Sequence, residues 1–420
     1  MIDVFAYPDI TFPKGFLWGA STAGAQVEGD NKSFYDHPDT APKTSGIGAM
    51  AYQFPGKACN SFEMYREDIT LLKEMNLTLY RLSIEWSRIE PEKGVYDEAA
   101  VSRYLDMLRE LAEAGIKVCL TLHHFSHPVW FHKQGHFNNL DNLRDWEAYL
   151  EYIVPKVAPY VDFWIVLNEP NLPFVYTMPQ RLNLLHYHAR GYHIVKKYSD
   201  KPVSSSHSYS PKVPLRGKHD TLDTLVADYV DYTVNEFFFH AIRTGEITAP
   251  LMDGSYLPEL KGSCDFWALN TYCRHMIDGR KQQYMTPHYT ATRIKPLENA
   301  NTPMDEIHPD IIIDMLMRAS DKPCLITENG IPTSRDDVRI TQISAMLQAI
   351  NQAMTLGADV WGYSHWSLMD NWEWGDYSQT FGLVSVNFET FERTIKKSGR
   401  FYGDIVAGNG LSVDILRKYL

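Results

Sequence analysis

Phe163-Trp164-Ile165-Val166-Leu167-Asn168-Glu169-Pro170 is a short apolar run that delivers an amide and a carboxylate where it ends. Runs of this length, rich in aromatic and branched residues, read as strands. Similar runs occupy residues 16–21, 79–84, 117–123, 202–206, 266–272, 324–328 and 360–366. Between them lie stretches long enough for a helix. In 63–74, 101–114 and 340–355 the apolar residues recur every three or four positions, the period of an amphipathic helix. Strand and helix in alternation predict parallel strands joined by helical crossovers. Eight alternations predict a closed (β/α)₈ TIM barrel of the α/β class, with residues 1–420 forming a single domain.

Chemically capable residues stand where these runs stop: Gln26, Arg81, His124, Asn168 with Glu169, Tyr272, Glu328 and Trp366. In a (β/α)₈ barrel the carboxyl ends of all strands open onto one face, so these side chains are expected to converge there. An open doubly wound sheet fits the alternation too, but its dinucleotide turn is missing, since Gly19-Ala20-Ser21-Thr22-Ala23-Gly24 has the wrong glycine spacing. No repeat or Ser/Gly-rich linker divides the chain. Residues 274–309, rich in charge, Pro, Thr and Tyr, are expected to form a long loop over the barrel mouth before the sixth helix.

Composition narrows the function. With 44% hydrophobic residues the 420-residue chain can bury a large core, and 40 basic against 52 acidic residues leave a net charge of −12 with no basic stretch to track phosphates. Nucleic acid is therefore not an expected partner. The first ten residues lack the basic start and apolar core of a secretory signal, and no apolar run approaches the roughly 20 residues that cross a bilayer. A cytoplasmic protein away from membranes is expected, with its oligomeric state open. Cys59, Cys119, Cys264, Cys273 and Cys324 form an odd set without metal-type spacing and read as reduced packing residues.

A second run, Pro323-Cys324-Leu325-Ile326, leads into Thr327-Glu328-Asn329-Gly330, so two glutamates reach the mouth. Hydrolysis of a glycosidic bond needs one carboxylic acid to protonate the leaving oxygen and one carboxylate to attack or to activate water. From position alone, either glutamate could instead cap the following helix or pair with an arginine.

From about residue 12 to 402 the chain resembles glycoside hydrolase family 1, the β-glucosidase and β-galactosidase family. Five motifs in order carry the resemblance: Phe16-Leu17-Trp18-Gly19-Ala20 leading to Gln26-Val27-Glu28-Gly29; Arg81-Leu82-Ser83-Ile84-Glu85-Trp86-Ser87-Arg88; Leu167-Asn168-Glu169-Pro170; Ile326-Thr327-Glu328-Asn329-Gly330; and Trp366-Ser367-Leu368-Met369-Asp370-Asn371-Trp372-Glu373-Trp374. The resemblance implies a retaining β-glycosidase without metal or cofactor. It implies Glu169 as acid/base and Glu328 as nucleophile, with Arg81 and Tyr272 beside Glu328. In the retaining geometry the two carboxyls lie about 5 to 5.5 Å apart. By the same resemblance Gln26, His124, Asn168, Glu373 and Trp374 hold the non-reducing sugar over Trp366, which suits hydroxyls that need directed polar partners and C–H faces that stack on indole. The implied substrates are β-glucosides first, with β-galactosides, β-fucosides and β-xylosides behind them.

His123, His124 and His127 invite a metal reading. Adjacent residues on a strand point to opposite sides, so His123 and His124 cannot share one ion there, and no helical His-Glu-x-x-His set accompanies them. His186, His188 and His193 fall on the helix expected after the fourth strand, where structural roles are the default. Phospho-sugar members of the family carry a lysine and a tyrosine in the loop after the Glu-Trp pair; here Gln379 and Phe381 stand at those places, near Asp376, which disfavours a 6-phosphate. That loop is one residue shorter than usual, which leaves the placing of Glu373 open. Connections after the fourth and fifth strands are trimmed, so the leaving-group side is expected to be open. The alternatives are a 6-phospho-β-glycosidase, a non-catalytic sugar-binding barrel and, behind both, a metal-dependent hydrolase.

Overall fold

The computed structural model describes residues 2–45, 51–247, 255–281 and 306–420, with the backbone of Ala291–Thr292. Eight parallel strands close into a barrel: β1 Leu17–Ser21, β2 Leu79–Ser83, β3 Lys117–Thr121, β4 Phe163–Asn168, β5 Val203–Ser208, β6 Trp267–Asn270, β7 Cys324–Asn329 and β8 Val360–Trp366. They stand round the barrel in chain order, and β8 closes on β1 with Trp366 opposite Ser21. The crossovers are α1 Ser61–Glu74, α2 Glu98–Glu113, α3 Leu143–Val157, α4 Met178–Tyr198, α5 Thr221–Asp231, α6 Asp310–Arg318, α7 Asp336–Thr355 and α8 Lys397–Gly408.

Local chemistry explains where these helices begin and which way they face. Asp97 accepts from the Ala99 and Ala100 backbone N–H groups at the start of α2, satisfying donors that a helix cannot use itself. Val101, Tyr104, Met107, Leu108 and Leu111 then recur every three or four residues and are all buried. Burying each such side chain contributes about 1.5–3 kcal/mol, enough to fix the helix against the barrel. Thr177 and Gln180 form a capping box at the start of α4. Helix α5 continues through a π-turn, Tyr232–Glu236, into a short helix, Phe237–Thr244.

Inside the barrel, the two-residue period of a strand sorts side chains into layers. Leu79, Cys119, Ile165, Ala268 and Leu325 pack together with Phe266 into an apolar plug, with Leu17, Phe163 and Trp361 against it. Two residues further along the same strands stand Arg81, Thr121, Asn270 and Thr327, joined by Ser206. They form a hydrogen-bonded polar layer: Arg81 Nε donates to Thr121 Oγ1 at 3.0 Å, Thr327 Oγ1 donates to Asn270 Oδ1 at 2.7 Å, and the Ser206 and Thr327 hydroxyls lie 3.2 Å apart. Polarity therefore rises along the axis towards the carboxyl ends.

The observed strands differ from the sequence reading mainly at those ends. The β3 and β6 ladders stop at Thr121 and Asn270, so His124 and Tyr272 lie beyond them, while β5 and β7 run on to Ser208 and Asn329. Register shifts fall between Ile165 and Asn168, Leu269 and Asn270, and Ile326 and Asn329, where the strands splay and side chains are re-aimed. Part of the loop expected over 274–309 is ordered as a three-stranded sheet: His275–Ile277 runs parallel to Lys212–Pro214 and antiparallel to Ala291–Thr292. Residues 282–290 and 293–305 of that loop lie outside the described residues. None of the five cysteines forms a disulfide, and all are buried. Among the described residues no helix is long and apolar enough to cross a membrane.

Candidate active site

Glu328 stands near the end of β7 at the top of the polar layer, and its two carboxyl oxygens have different partners. Oε1 receives Arg81 Nη1 from β2, and Oε2 receives the Tyr272 hydroxyl at 2.6 Å. Arg81 is fully buried, and its other terminal nitrogen donates to Asn168 Oδ1 at 2.6 Å. A buried guanidinium needs an anion beside it, and breaking such a pair by removing one partner costs about 3–5 kcal/mol. His124 Nε2 lies 4.0 Å from Glu328 Oε1, and burial beside Arg81 holds its imidazole well below the usual histidine pKa, in the neutral form.

Glu169 follows β4 with φ of 47°, in the left-handed region that a residue with a side chain seldom occupies. An ideal strand would turn Asn168 and Glu169 to opposite sides. The register shift before Asn168 and the left-handed turn at Glu169 bring both inward. Asn270 Nδ2 donates to Asn168 Oδ1 at 3.1 Å and to Glu169 Oε1 at 2.9 Å. Burial and the neighbouring Glu328 charge push the Glu169 carboxyl up to about 8, with Asn270, Arg81 and the Ser208 side chain opposing the rise. Above neutrality Glu169 still holds its proton.

Beside these carboxyls lies a ring of polar and aromatic groups. Glu373 accepts from Trp366 Nε1 and from Gln26 Nε2, each at 3.0 Å, and Gln26 Nε2 also donates to Asn371 Oδ1 at 2.9 Å. Burial pushes the Glu373 carboxyl up to about 8, those two donors pulling the other way. The His124 ring lies nearly parallel to Trp366 and to Trp374, with centroids 5.8 Å away in both cases. Gln26 Oε1, His124 Nδ1 and Asn168 Nδ2 are buried without a hydrogen-bond partner among the described residues. An unpaired buried polar atom costs about 1–3 kcal/mol, so three in one site point to a ligand with several hydroxyls.

Comparison with known proteins agrees with this chemistry. The family model for glycosyl hydrolase family 1 matches residues 9–411. The chain belongs to that family. A β-galactosidase from Pyrococcus woesei is 26% identical, covering 97% of this chain and 99% of the relative, and β-glucosidase A from Acetivibrio thermocellus is 28% identical, covering 96% and 99%. The solved structure of a β-glycosidase from Pyrococcus horikoshii superposes with a TM-score of 0.86 at 31% identity, covering 98% of both chains. This chain is a family 1 O-glycosyl hydrolase of the β-glycosidase kind.

All ten residues singled out from the sequence of this family 1 chain are gathered at the barrel mouth. Reading the sequence missed Asn270, which bonds Glu169, as well as Thr327 and Asn371. Their signal was present, since Asn270 and Thr327 are polar residues closing the apolar runs 266–269 and 324–326. The segment 372–377 is braced by residues 53–55: Trp372 Nε1 donates to Gln53 O at 2.7 Å, Gln53 N donates to Gly375 O at 2.9 Å, and the Tyr377 hydroxyl donates to Pro55 O. This bracing places Glu373 within the ring. Asp376 accepts from Ser378 and from Gln379 Nε2, at 3.0 Å for the latter, and Phe381 packs with Ala23 and Trp366. His123 turns away from the site to pack on Phe137 and His127. On α4, buried His188 bonds Ser205 Oγ at 2.7 Å and Ser263 O at 2.9 Å, a structural role.

Proposed function

We propose that this chain hydrolyses non-reducing terminal β-glucosides or β-galactosides by double displacement, with Glu328 as nucleophile and Glu169 as acid/base. The contrast between the two carboxyls carries this reading: Glu328 is gripped by a cation and a phenol, while Glu169 is held protonated at about 8 beside it. In the first step Glu328 attacks the anomeric carbon as Glu169 passes its proton to the departing oxygen. The glycosyl ester then removes the Glu328 charge that helped to raise Glu169. Glu169, now ionised, takes a proton from water, which attacks the same carbon and releases the sugar with Glu328 regenerated.

The glycone is read as unphosphorylated, because Asp376 and Gln379 bond one another beside Glu373 and bring no cation there. Gln26, His124, Asn168 and Glu373 would take its hydroxyls and Trp366 its apolar face. Incubation with a 2-fluoro β-glucoside bearing a good leaving group should trap a covalent sugar, and peptide mapping should place it on Glu328. A label on any other residue sinks the assignment. Nitrophenyl β-glucoside or β-galactoside should turn over, and preference for the 6-phosphate of either would overturn the glycone reading.

A further inference from the structure

Asn171, two residues after Glu169, is fully buried and its amide is used completely. Its Nδ2 donates to Ser208 O at 2.7 Å and to Val234 O at 2.9 Å, while its Oδ1 accepts from Ser208 N at 3.0 Å. The side chain thus imitates a stretch of backbone, pairing with Ser208 at the end of β5 as a strand residue would. Val234 belongs to the π-turn Tyr232–Glu236, an irregularity that often accompanies functional sites. The same turn gives its Thr233 carbonyl to Arg181 of α4 at 2.8 Å, and Asn235 Nδ2 donates to Ser210 O at 2.9 Å. Three separate segments, the β4–α4 loop, the end of β5 and the π-turn, are knotted at one amide.

The knot sits where the backbone is strained. A left-handed φ at a residue with a side chain costs on the order of 1 kcal/mol or more and persists only when the surroundings over-determine it. Glu169 N donates to Ser206 O at 2.7 Å and Leu172 N to Glu169 O at 3.1 Å, which hold the backbone on either side. The Ser208 side chain, on the residue that Asn171 clamps, also helps to hold the Glu169 pKa down. We propose that Asn171 is a positioning residue for the acid/base: it fastens the Glu169 turn to β5 and to the π-turn, so that the carboxyl stays over the glycosidic oxygen. The proposal rests on the reading of Glu169 as acid/base.

Asn171→Ala and Glu169→Ala are compared on two glycosides of one sugar, a 2,4-dinitrophenyl glycoside whose leaving group needs no proton and a methoxyphenyl glycoside whose leaving group does. A misplacement of about 1 Å costs up to about a hundredfold in rate. Asn171→Ala should therefore lose about tenfold or more in kcat/KM on the methoxyphenyl glycoside and stay within about threefold of wild type on the dinitrophenyl one. On the dinitrophenyl glycoside, azide should speed its turnover and yield the β-glycosyl azide. Azide attacks the anomeric carbon of the glycosyl-enzyme, the bond to Glu328 breaks, and no base is needed, whereas water attack waits on a displaced Glu169. Wild type should show no azide effect.

A role in stability alone would lower both substrates by one factor and give no azide product, and that result overturns the proposal. If Glu169→Ala shows both signatures and Asn171→Ala neither, the clamp is refuted and the acid/base stands. If Glu169→Ala shows neither, the acid/base reading fails and the clamp with it. Should Asn171→Ala not fold, Asn171→Ser, which removes less volume and keeps one hydroxyl for the Ser208 backbone, carries the same comparison with the same expected direction.

Discussion

Replacing Glu169 by glutamine should make the protein more stable, by an amount that grows with pH. In the unfolded chain this carboxyl titrates near 4.5, whereas burial and Glu328 push it up to about 8 in the folded protein. Between those values the folded state binds a proton that the unfolded state has released, so stability falls as pH rises, by about 1.4 kcal/mol per pH unit. The loss attributable to Glu169 is about 3 kcal/mol at pH 7 and levels off at about 5 kcal/mol above pH 8. Glutamine keeps the shape and carries no titrating proton. The difference between Glu169→Gln and wild type should be within about 1 kcal/mol at pH 5 and should open steadily to pH 8. Glu373, also pushed up to about 8, titrates in both proteins and cancels from the difference. For 420 residues the unfolding entropy is about 0.9 kcal/mol/K, so 3 kcal/mol corresponds to roughly 3–4 °C in Tm. Scanning calorimetry of the pair from pH 5 to 9 measures it. A Tm difference that stays flat across that range would mean that folded Glu169 gives up its proton at the ordinary value, and the acid role would be lost.

Three further outcomes follow from the same contacts. With poor leaving groups kcat/KM should fall as pH rises through about 8, where Glu169 loses its proton, and a profile level to pH 9.5 would contradict the assignment. Glu328→Ala should abolish turnover and also lower stability by about 3–5 kcal/mol in chemical denaturation, because buried Arg81 loses its anion; an unchanged midpoint would refute the pairing. Trp366→Phe removes the indole N–H that bonds Glu373 Oε1 at 3.0 Å and should raise KM several-fold, at a cost of about 0.5–1.5 kcal/mol for a hydrogen bond between neutral partners, with KM unchanged counting against a sugar-binding role.

Much of this architecture is legible in the order of residues. Eight apolar runs separated by amphipathic stretches imply the barrel because each strand must be buried on both faces and each helix on one. Within the barrel the strict period of two explains why Leu79 faces the plug and Arg81 the polar layer. Glu169 and Glu328 stand out for the same reason: a carboxylate ending a buried run has been brought to the mouth at a cost in desolvation.

Where alternation breaks, sequence reasoning stops. That Asn168 and Glu169, neighbours in the chain, both turn inward depends on a register shift and one left-handed residue, which are set by pairing with β5 rather than by local preference. Asn270 meets Glu169, and Arg81 meets Glu328, across 101 and 247 residues of sequence. Asn171 reads as an ordinary loop amide until folding brings Ser208 and the π-turn around it. The order of residues settles which groups arrive at the barrel's mouth; the rise of the Glu169 carboxyl above its ordinary pKa comes only with folding, because burial and neighbouring charge are properties of the assembled site.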